Sequence, residues 1–187
     1  MIKYAITGNI ASGKSAVEEI LKNAGEIVID TDKIAHELLN DNQEIIETFR
    51  NYDILSDGKI SREKLGKIVF ADKNLKKVLE DILHPQIKQN INEFFEQNQD
   101  KERIFVAVPL LFEAKMEDMF DKIVFIYCDD KIRLERLMQR DGYDREHAKA
   151  RMKSQQNQDG KVKYSDIVIY NNSTPDELER LVKKLIL

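Results

Sequence analysis

A chain of 187 residues with 42% hydrophobic composition can bury one good core and carry a subdomain, and is too short for two independent domains. Its 30 Lys and Arg against 34 Asp and Glu leave a formal net charge of -4, which excludes a general field for gathering nucleic acid, so any phosphate affinity has to be local. Cys128 is the single cysteine, which excludes an internal disulfide, and no apolar run approaches the ~18 residues a membrane span needs. The first residues run directly into an apolar stretch without a basic, apolar and small-residue signal pattern, so we expect a cytoplasmic protein.

In chain order, short apolar runs alternate with helical periodicity, the pattern of a parallel sheet covered by helices on both faces. Ile2–Thr7 reads as the first strand, and Gly8-Asn9-Ile10-Ala11-Ser12-Gly13-Lys14-Ser15 follows it directly, fitting G-x-x-x-x-G-K-[ST]. In that context the stretch is a phosphate-binding loop. Backbone N–H groups converging at a helix N-terminus solvate a triphosphate without any titratable group. Gly8 and Gly13 are expected to supply the turns, Lys14 to reach the β- and γ-phosphates, and Ser15 to place a hydroxyl on Mg²⁺. The helix continues through Val17, Ile20 and Leu21.

Glu26–Ile29 is the second predicted strand, and Asp30-Thr31-Asp32 stands at its end, the edge where open parallel sheets bind ligands. In extended chain these two carboxylates point to one side, so one can take an acceptor hydroxyl's proton while the other helps organise Mg²⁺ or its waters. Asp32 also suits the N-cap of a helix starting at Lys33, a role compatible with catalysis. From Lys33 to Glu102 no convincing strand occurs, and the spacings Leu65/Ile68/Val69, Leu75/Val78/Leu79/Ile82 and Ile87/Ile91/Phe94 predict a helical insertion. The turn-rich stretch from Asn51 to Gly58 marks a short irregular excursion within it.

Ile104–Val108, Ile123–Tyr127 and Ile167–Tyr170 complete five predicted strands. Cys128, ending the fourth apolar run, reads as a buried thiol. Arg133, Arg136 and Arg140 fall at i, i+3 and i+7 of the helix that follows, forming one basic stripe. Asp141-Gly142-Tyr143-Asp144 breaks that helix before a second basic one carrying Arg145, Lys149, Arg151 and Lys153, which suggests a mobile lid. A solvated face balanced by Glu135, Asp141 and Glu146 accounts for most of these charges; Arg140, beside the turn, is singled out as a cover for the transferring phosphoryl group. Thr174-Pro175-Asp176-Glu177 announces the last helix with an N-cap, a proline and a capping acid.

Neither a D-x-x-G switch nor an N-K-x-D base-reading loop occurs, which sets GTPases aside and leaves small-molecule kinases and ATP-sensing proteins. The phosphate loop, Ile29 to Asp32, Leu83-His84-Pro85, Val108-Pro109-Leu110-Leu111-Phe112-Glu113, Gln139-Arg140-Asp141, Arg151 with Gln155, and Asp166 to Ile169 before Asn171-Asn172 together resemble the bacterial dephospho-coenzyme A kinases, in order and over nearly the whole chain. The resemblance implies ATP-dependent phosphorylation of the ribose 3′-hydroxyl of dephospho-coenzyme A, with Asp32 as general base and Ala11 to Ala16, including Ser12, as the ATP-binding segment. It further implies Arg140 as lid arginine, Asn171 near the ATP base, and His84, Pro85, Pro109, Leu110 and Leu111 shaping the acceptor side. The chain departs from the family where glycine is usual, at Asn9 and Ala11, and where threonine is frequent, at Ala16, which removes a hydroxyl.

The expected fold is therefore α/β, a five-stranded parallel sheet of the P-loop nucleotide-kinase type. Residues 1–187 are expected to form a single kinase domain, with 33–102 as acceptor-binding insertion and about 136–155 as lid. Lys14, Asp32 and Arg140 are the expected catalytic groups; Ser15, with Asp30 through water, is the expected Mg²⁺ site. The expected partners are ATP and dephospho-coenzyme A, with neither nucleic acid nor membrane, and a monomer is favoured. The alternatives are another P-loop kinase acting on a nucleoside monophosphate or small metabolite, and a non-catalytic ATP sensor.

Overall fold

The computed structural model describes residues 1–187. Its five-stranded sheet is parallel throughout, in the order β2-β5-β1-β6-β7, with β1 Ile2–Gly8, β2 Val28–Asp30, β5 Arg103–Ala107, β6 Lys122–Tyr127 and β7 Ile167–Tyr170. The most buried strands, β1, β5 and β6, lie centrally, where a parallel sheet is covered on both faces. In β1, Ala5 and Ile6 are wholly buried, and Ile6 stands level with Ala107 on one side and Val124 on the other. Strand order reverses about β1, so the loop that leaves it opens at the switch point of the sheet.

Two helices seal one core against the sheet. Val17 and Leu21 of α1 (Lys14–Asn23) and Leu178, Val182 and Ile186 from the region of α9 (Pro175–Leu185) pack with Ile6, Phe105, Val124, Ile126 and Ile169. Tyr4 stacks on Phe105, ring centroids 4.9 Å apart. The start of α9 is as its sequence predicts: Thr174 Oγ1 accepts from the Glu177 N–H, and Pro175 fills the first turn. After β6 come α6 (Asp130–Asp141), α7 (Arg145–Lys153) and α8 (Gln158–Val162). Gly142 ends α6 in the left-handed conformation, φ 68°, and Asp144 caps α7 by accepting from the His147 N–H. A second small core gathers Leu134, Leu137 and Ala148 with Ile10 and Ala11 of the phosphate loop.

The second strand begins later than its apolar run suggests. Gly25, φ 87°, and the Glu26 N–H, which donates to the Leu21 carbonyl, still close α1, and Arg103 grips the Glu26 carboxylate at 2.6 and 2.9 Å; β2 therefore starts only at Val28.

The chain divides into two compact units, Met1–Asp30 with Gln99–Leu187, and Thr31–Asn98. The second is helical: α2 Thr31–Asn40, α3 Gln43–Thr48, α4 Arg62–Ala71 and α5 Lys73–Gln97. Each of α3, α4 and α5 opens on a short polar cap, Asn42, Ser61 and Asp72 respectively, whose side chain accepts a backbone N–H. Leu83, Ile87, Ile91 and Phe95 recur every four residues along α5 and are buried, as are Leu65 and Val69 of α4. The excursion expected in this stretch is a hairpin, β3 Leu55–Ser56 and β4 Lys59–Ile60, turning at Asp57 and Gly58, both of positive φ. Pro85 lies inside α5, a helix of 25 residues that continues past it, so the Asp81 carbonyl lacks its usual N–H donor there.

Candidate active site

Gly8 closes β1, and its missing side chain serves close packing rather than a turn: a Cβ there would stand 2.5 Å from Ser12 Oγ and 2.9 Å from the Ile126 carbonyl oxygen. The loop then turns on itself, with the Ser12 N–H donating to the Asn9 carbonyl at 3.0 Å. Ala11 holds φ 61°, a left-handed value that costs an L-residue about 1–2 kcal/mol, while its side chain and Ile10 pack onto the α6–α7 core. Gly13 is required twice over: φ is 99°, and a Cβ would run into the Asn171 side-chain amide. Asn171 is buried, and its Nδ2 donates 2.8 Å to the Ser12 carbonyl, which ties the segment after β7 to the loop.

Gly13 leads into α1, whose first N–H groups face the loop as an anion site requires. Lys14 Nζ lies 2.7 Å from Glu18 Oε1 one turn further into α1, both side chains largely buried, so the ammonium is held by a helix neighbour. The i,i+4 spacing of Lys14 and Glu18 in the sequence is a local signal for this pair. Ser15 and Ala16 are exposed on the first turn, while Ser12 Oγ is buried without a hydrogen-bond partner.

The basic stripe of α6 is not one solvated face. Arg133 is 3% exposed; its Nε donates 3.0 Å to the Ile10 carbonyl and its Nη1 pairs with Asp130. Arg136 reaches the Cys128 thiol at 3.5 Å and passes within 3.8 Å of where a Gly13 Cβ would be. Arg140, the one singled out from sequence, is exposed and pairs with its neighbour Asp141 through two hydrogen bonds of 2.7 and 2.9 Å. That contact raises the Arg140 pKa and lowers that of Asp141. Burial pushes the Cys128 thiol up despite Arg136 and Arg133 nearby, which suits a packing cysteine.

The far side of the loop is gripped by the segment that follows α7. Gln155 Oε1 accepts from the Ile10 N–H at 2.7 Å, and Asn9 Nδ2 donates 2.9 Å to the Gln156 carbonyl. Lys161, 3% exposed, donates to Asn9 Oδ1 and Glu113 Oε1. Behind this grip lies a cavity of about 590 Å³ whose walls include Lys131, Arg133, Arg145, Lys149 and Lys153. Neither Lys161 nor Arg133 carries a sequence signal that separates it from other surface-type charges.

Asp30 ends β2 and Asp32 stands in the first turn of α2, so the two carboxylates do not share an extended segment. The helix begins at Thr31, which removes Asp32 from the N-cap and leaves it where an acid complements the helix dipole. Pro109 follows the end of β5 at Ala107; the Val108 N–H still donates to Ile6, Leu111 is wholly buried and Leu110 exposed. His84 lies within α5, where burial lowers its pKa; Glu80 and Asp81 oppose that shift and Lys88 adds to it.

Within the first unit the structure thus brings together Gly8, Ala11 to Ala16 and Asn171; Asp32, His84 and Pro85 belong to the second unit. The loop geometry is that of a phosphate-binding loop at a helix N-terminus, and comparisons with known proteins narrow its use. The fold matches shikimate kinase from Acinetobacter baumannii with a TM-score of 0.55 at 13% identity, covering 98% of this chain and 90% of that one, which speaks for the fold alone. TT1252 from Thermus thermophilus matches with a TM-score of 0.86 and 31% identity over 98% of this chain and 95% of that one. Dephospho-CoA kinase from Campylobacter jejuni matches at 0.77 and 35% over 97% and 94%. A protein from Carboxydothermus hydrogenoformans named dephospho-CoA kinase is 38% identical over 96% of this chain and 92% of its own. The model of the dephospho-CoA kinase family covers residues 2–177, and with relatives this similar over almost their full length, the chain belongs to the dephospho-CoA kinase family.

Proposed function

We propose that this protein transfers the γ-phosphoryl group of ATP to the ribose 3′-hydroxyl of dephospho-coenzyme A, giving coenzyme A and ADP in the last step of coenzyme A synthesis. The observation that carries this reading is the phosphate loop at the sheet's switch point, set at the head of α1, in a chain that one kinase family spans from residue 2 to 177. Phosphoryl transfer asks a protein mainly for positioning and charge stabilisation. Loop N–H groups and the N-terminus of α1 bind the β- and γ-phosphates. Lys14, released from Glu18, neutralises charge on the oxygens of the group in flight. Arg140 adds a second positive charge by exchanging Asp141 for the phosphoryl group, and Asp32 receives the proton of the attacking hydroxyl.

Mg²⁺, when bound, spreads the negative charge of the triphosphate. Ser15, an exposed hydroxyl oxygen on the first turn of α1, is a donor suited to that hard cation, and Asp30 assists through water. His84, Pro85, Pro109, Leu110 and Leu111 shape the acceptor side, Asn171 lies toward the base of ATP, and the protein works in the cytoplasm.

ADP release is the test, measured with Mg²⁺-ATP and dephospho-coenzyme A, AMP, dTMP or shikimate in turn, against a control without acceptor. We expect strong stimulation by dephospho-coenzyme A alone, with product phosphorylated at the ribose 3′ position. Stimulation by another acceptor would replace the substrate; ATP binding without stimulation by any would replace the enzyme with a sensor.

A further inference from the structure

Lys161 is the most deeply buried ammonium of the phosphate-loop neighbourhood, and the reaction as derived makes no use of it. Its side chain is 3% exposed, with Nζ 2.7 Å from Glu113 Oε1, 3.1 Å from Asn9 Oδ1 and 5.9 Å from the centroid of the Phe112 ring. We propose that Lys161 is a positioning residue for ATP, holding the phosphate loop through the side chain of Asn9 and anchoring that hold on Glu113. The proposal rests on the kinase reading only in taking ATP as the ligand of the loop.

Asn9 is the residue through which such a hold acts on the loop. Its carbonyl accepts the Ser12 N–H that closes the turn, while its side chain is fixed at both ends, Oδ1 by Lys161 and Nδ2 on the Gln156 carbonyl. A side-chain amide bound at both ends cannot rotate without breaking a hydrogen bond in a site shielded from water, where a lost partner costs about 1–3 kcal/mol. With its side chain held at both ends, Asn9 keeps one place in the loop, and its backbone carbonyl is the group that accepts the Ser12 N–H and closes the turn. The base of the hold is itself fixed. Lys161 stands on α8, where Asn157 caps the helix and Gln158 Nε2 donates to the Cys128 carbonyl and Asp130 Oδ1. Glu113 Oε1 takes the Lys161 contact while its Oε2 is buried with no hydrogen-bond partner, so Lys161 is the group that neutralises this carboxylate.

Stability alone does not account for such an arrangement. A buried ion pair is often no more stabilising than an apolar pair of the same shape, and here the ammonium spends one of its hydrogen bonds on a loop that has to meet a polyanion. The Lys161 hold therefore predicts an effect on ATP affinity separable from an effect on folding.

The experiment titrates Mg²⁺-ATP into the wild type, Lys161→Met, Asn9→Ala and the double variant, with thermal melting alongside. Each single variant is expected to weaken ATP binding about tenfold, which corresponds to ~1.4 kcal/mol, and to raise KM for ATP more than it lowers kcat. In the double variant the loss should be no greater than in either single one, since both cut the same connection. Wild-type affinity in folded Lys161→Met, or single effects that multiply in the double variant, would overturn the proposal. Should Lys161→Met fail to fold, Lys161→Met with Glu113→Gln removes the uncompensated carboxylate and carries the same titration. ATP binding is read without any acceptor, so a wrong acceptor assignment and a wrong role for Lys161 give different results.

Discussion

The two compact units hold themselves together by different means. Around the phosphate loop, order comes from buried polar contacts between residues far apart in sequence: Asn171 to Ser12, Arg133 to Ile10, Lys161 to Asn9 and Glu113. In Thr31–Asn98, the ion pairs are short-range and exposed, such as Lys67 with Glu63 and Arg50 with Glu47, and order comes from helix caps and an apolar stripe. Exposed pairs of that kind contribute little to stability, because water and salt screen them. A loop that must present N–H groups to a charged ligand needs its backbone fixed from outside, whereas a helical unit needs only its apolar face covered. Substitutions in the first unit should therefore show mainly in nucleotide binding, and those in the second in folding or in acceptor chemistry.

The largest expected contrast lies between Lys14→Ala and Asp32→Asn. The first should weaken ATP binding and abolish most turnover. The second should bind ATP normally yet lose ~10²–10⁴-fold in kcat, the usual worth of general-base assistance. ATP titration with single-turnover kinetics separates the two, and an active Asp32→Asn would remove Asp32 from the mechanism.

Next in size, Ile91→Ala in the middle of α5, a wholly buried position, should cost about 2–5 kcal/mol by denaturant unfolding. If ATP affinity falls as steeply as stability, the division of labour between the units does not hold. Asp72→Ala should cost about 1 kcal/mol, because Asp72 Oδ1 accepts from both the Asn74 and Leu75 N–H groups at the start of α5. A loss below about 0.3 kcal/mol would show that packing, not the cap, fixes that end of the helix.

The smallest effect concerns His84. Burial lowers its folded pKa below the ordinary 6.5, so the folded state favours the neutral ring and the unfolded chain binds the proton more readily. The contribution is intact above that ordinary value and is lost as pH falls below it toward the folded pKa. Stability measured from pH 8 to 5.5 should fall more for the wild type than for His84→Gln; parallel curves would clear His84 of any part.

Sequence and structure agree closely where the signal is local. The five strands, the Gly142 break, the Thr174 cap and the phosphate loop follow from periodicity, turn residues and one motif. Disagreement begins where a residue's surroundings come from elsewhere in the chain. The Arg133, Arg136 and Arg140 spacing reads as one stripe, yet the loop's Ile10 carbonyl draws Arg133 inward while Arg140 stays with Asp141. Pro85 carries the local signal of a helix boundary, but packing of Leu83 and Ile87 on either side carries α5 through it.

By itself the sequence determined the class of fold and the kind of ligand, because alternation of apolar runs and a glycine-lysine loop are properties of neighbouring residues. Tertiary structure alone decided how that loop is held. Lys161 and Asn9 are 152 residues apart, Asn171 and Ser12 159. Nothing in an ammonium's local sequence distinguishes a solvated lysine from one whose partners the folded sheet brings to it, since burial and hydrogen-bond partners exist only once distant segments have met.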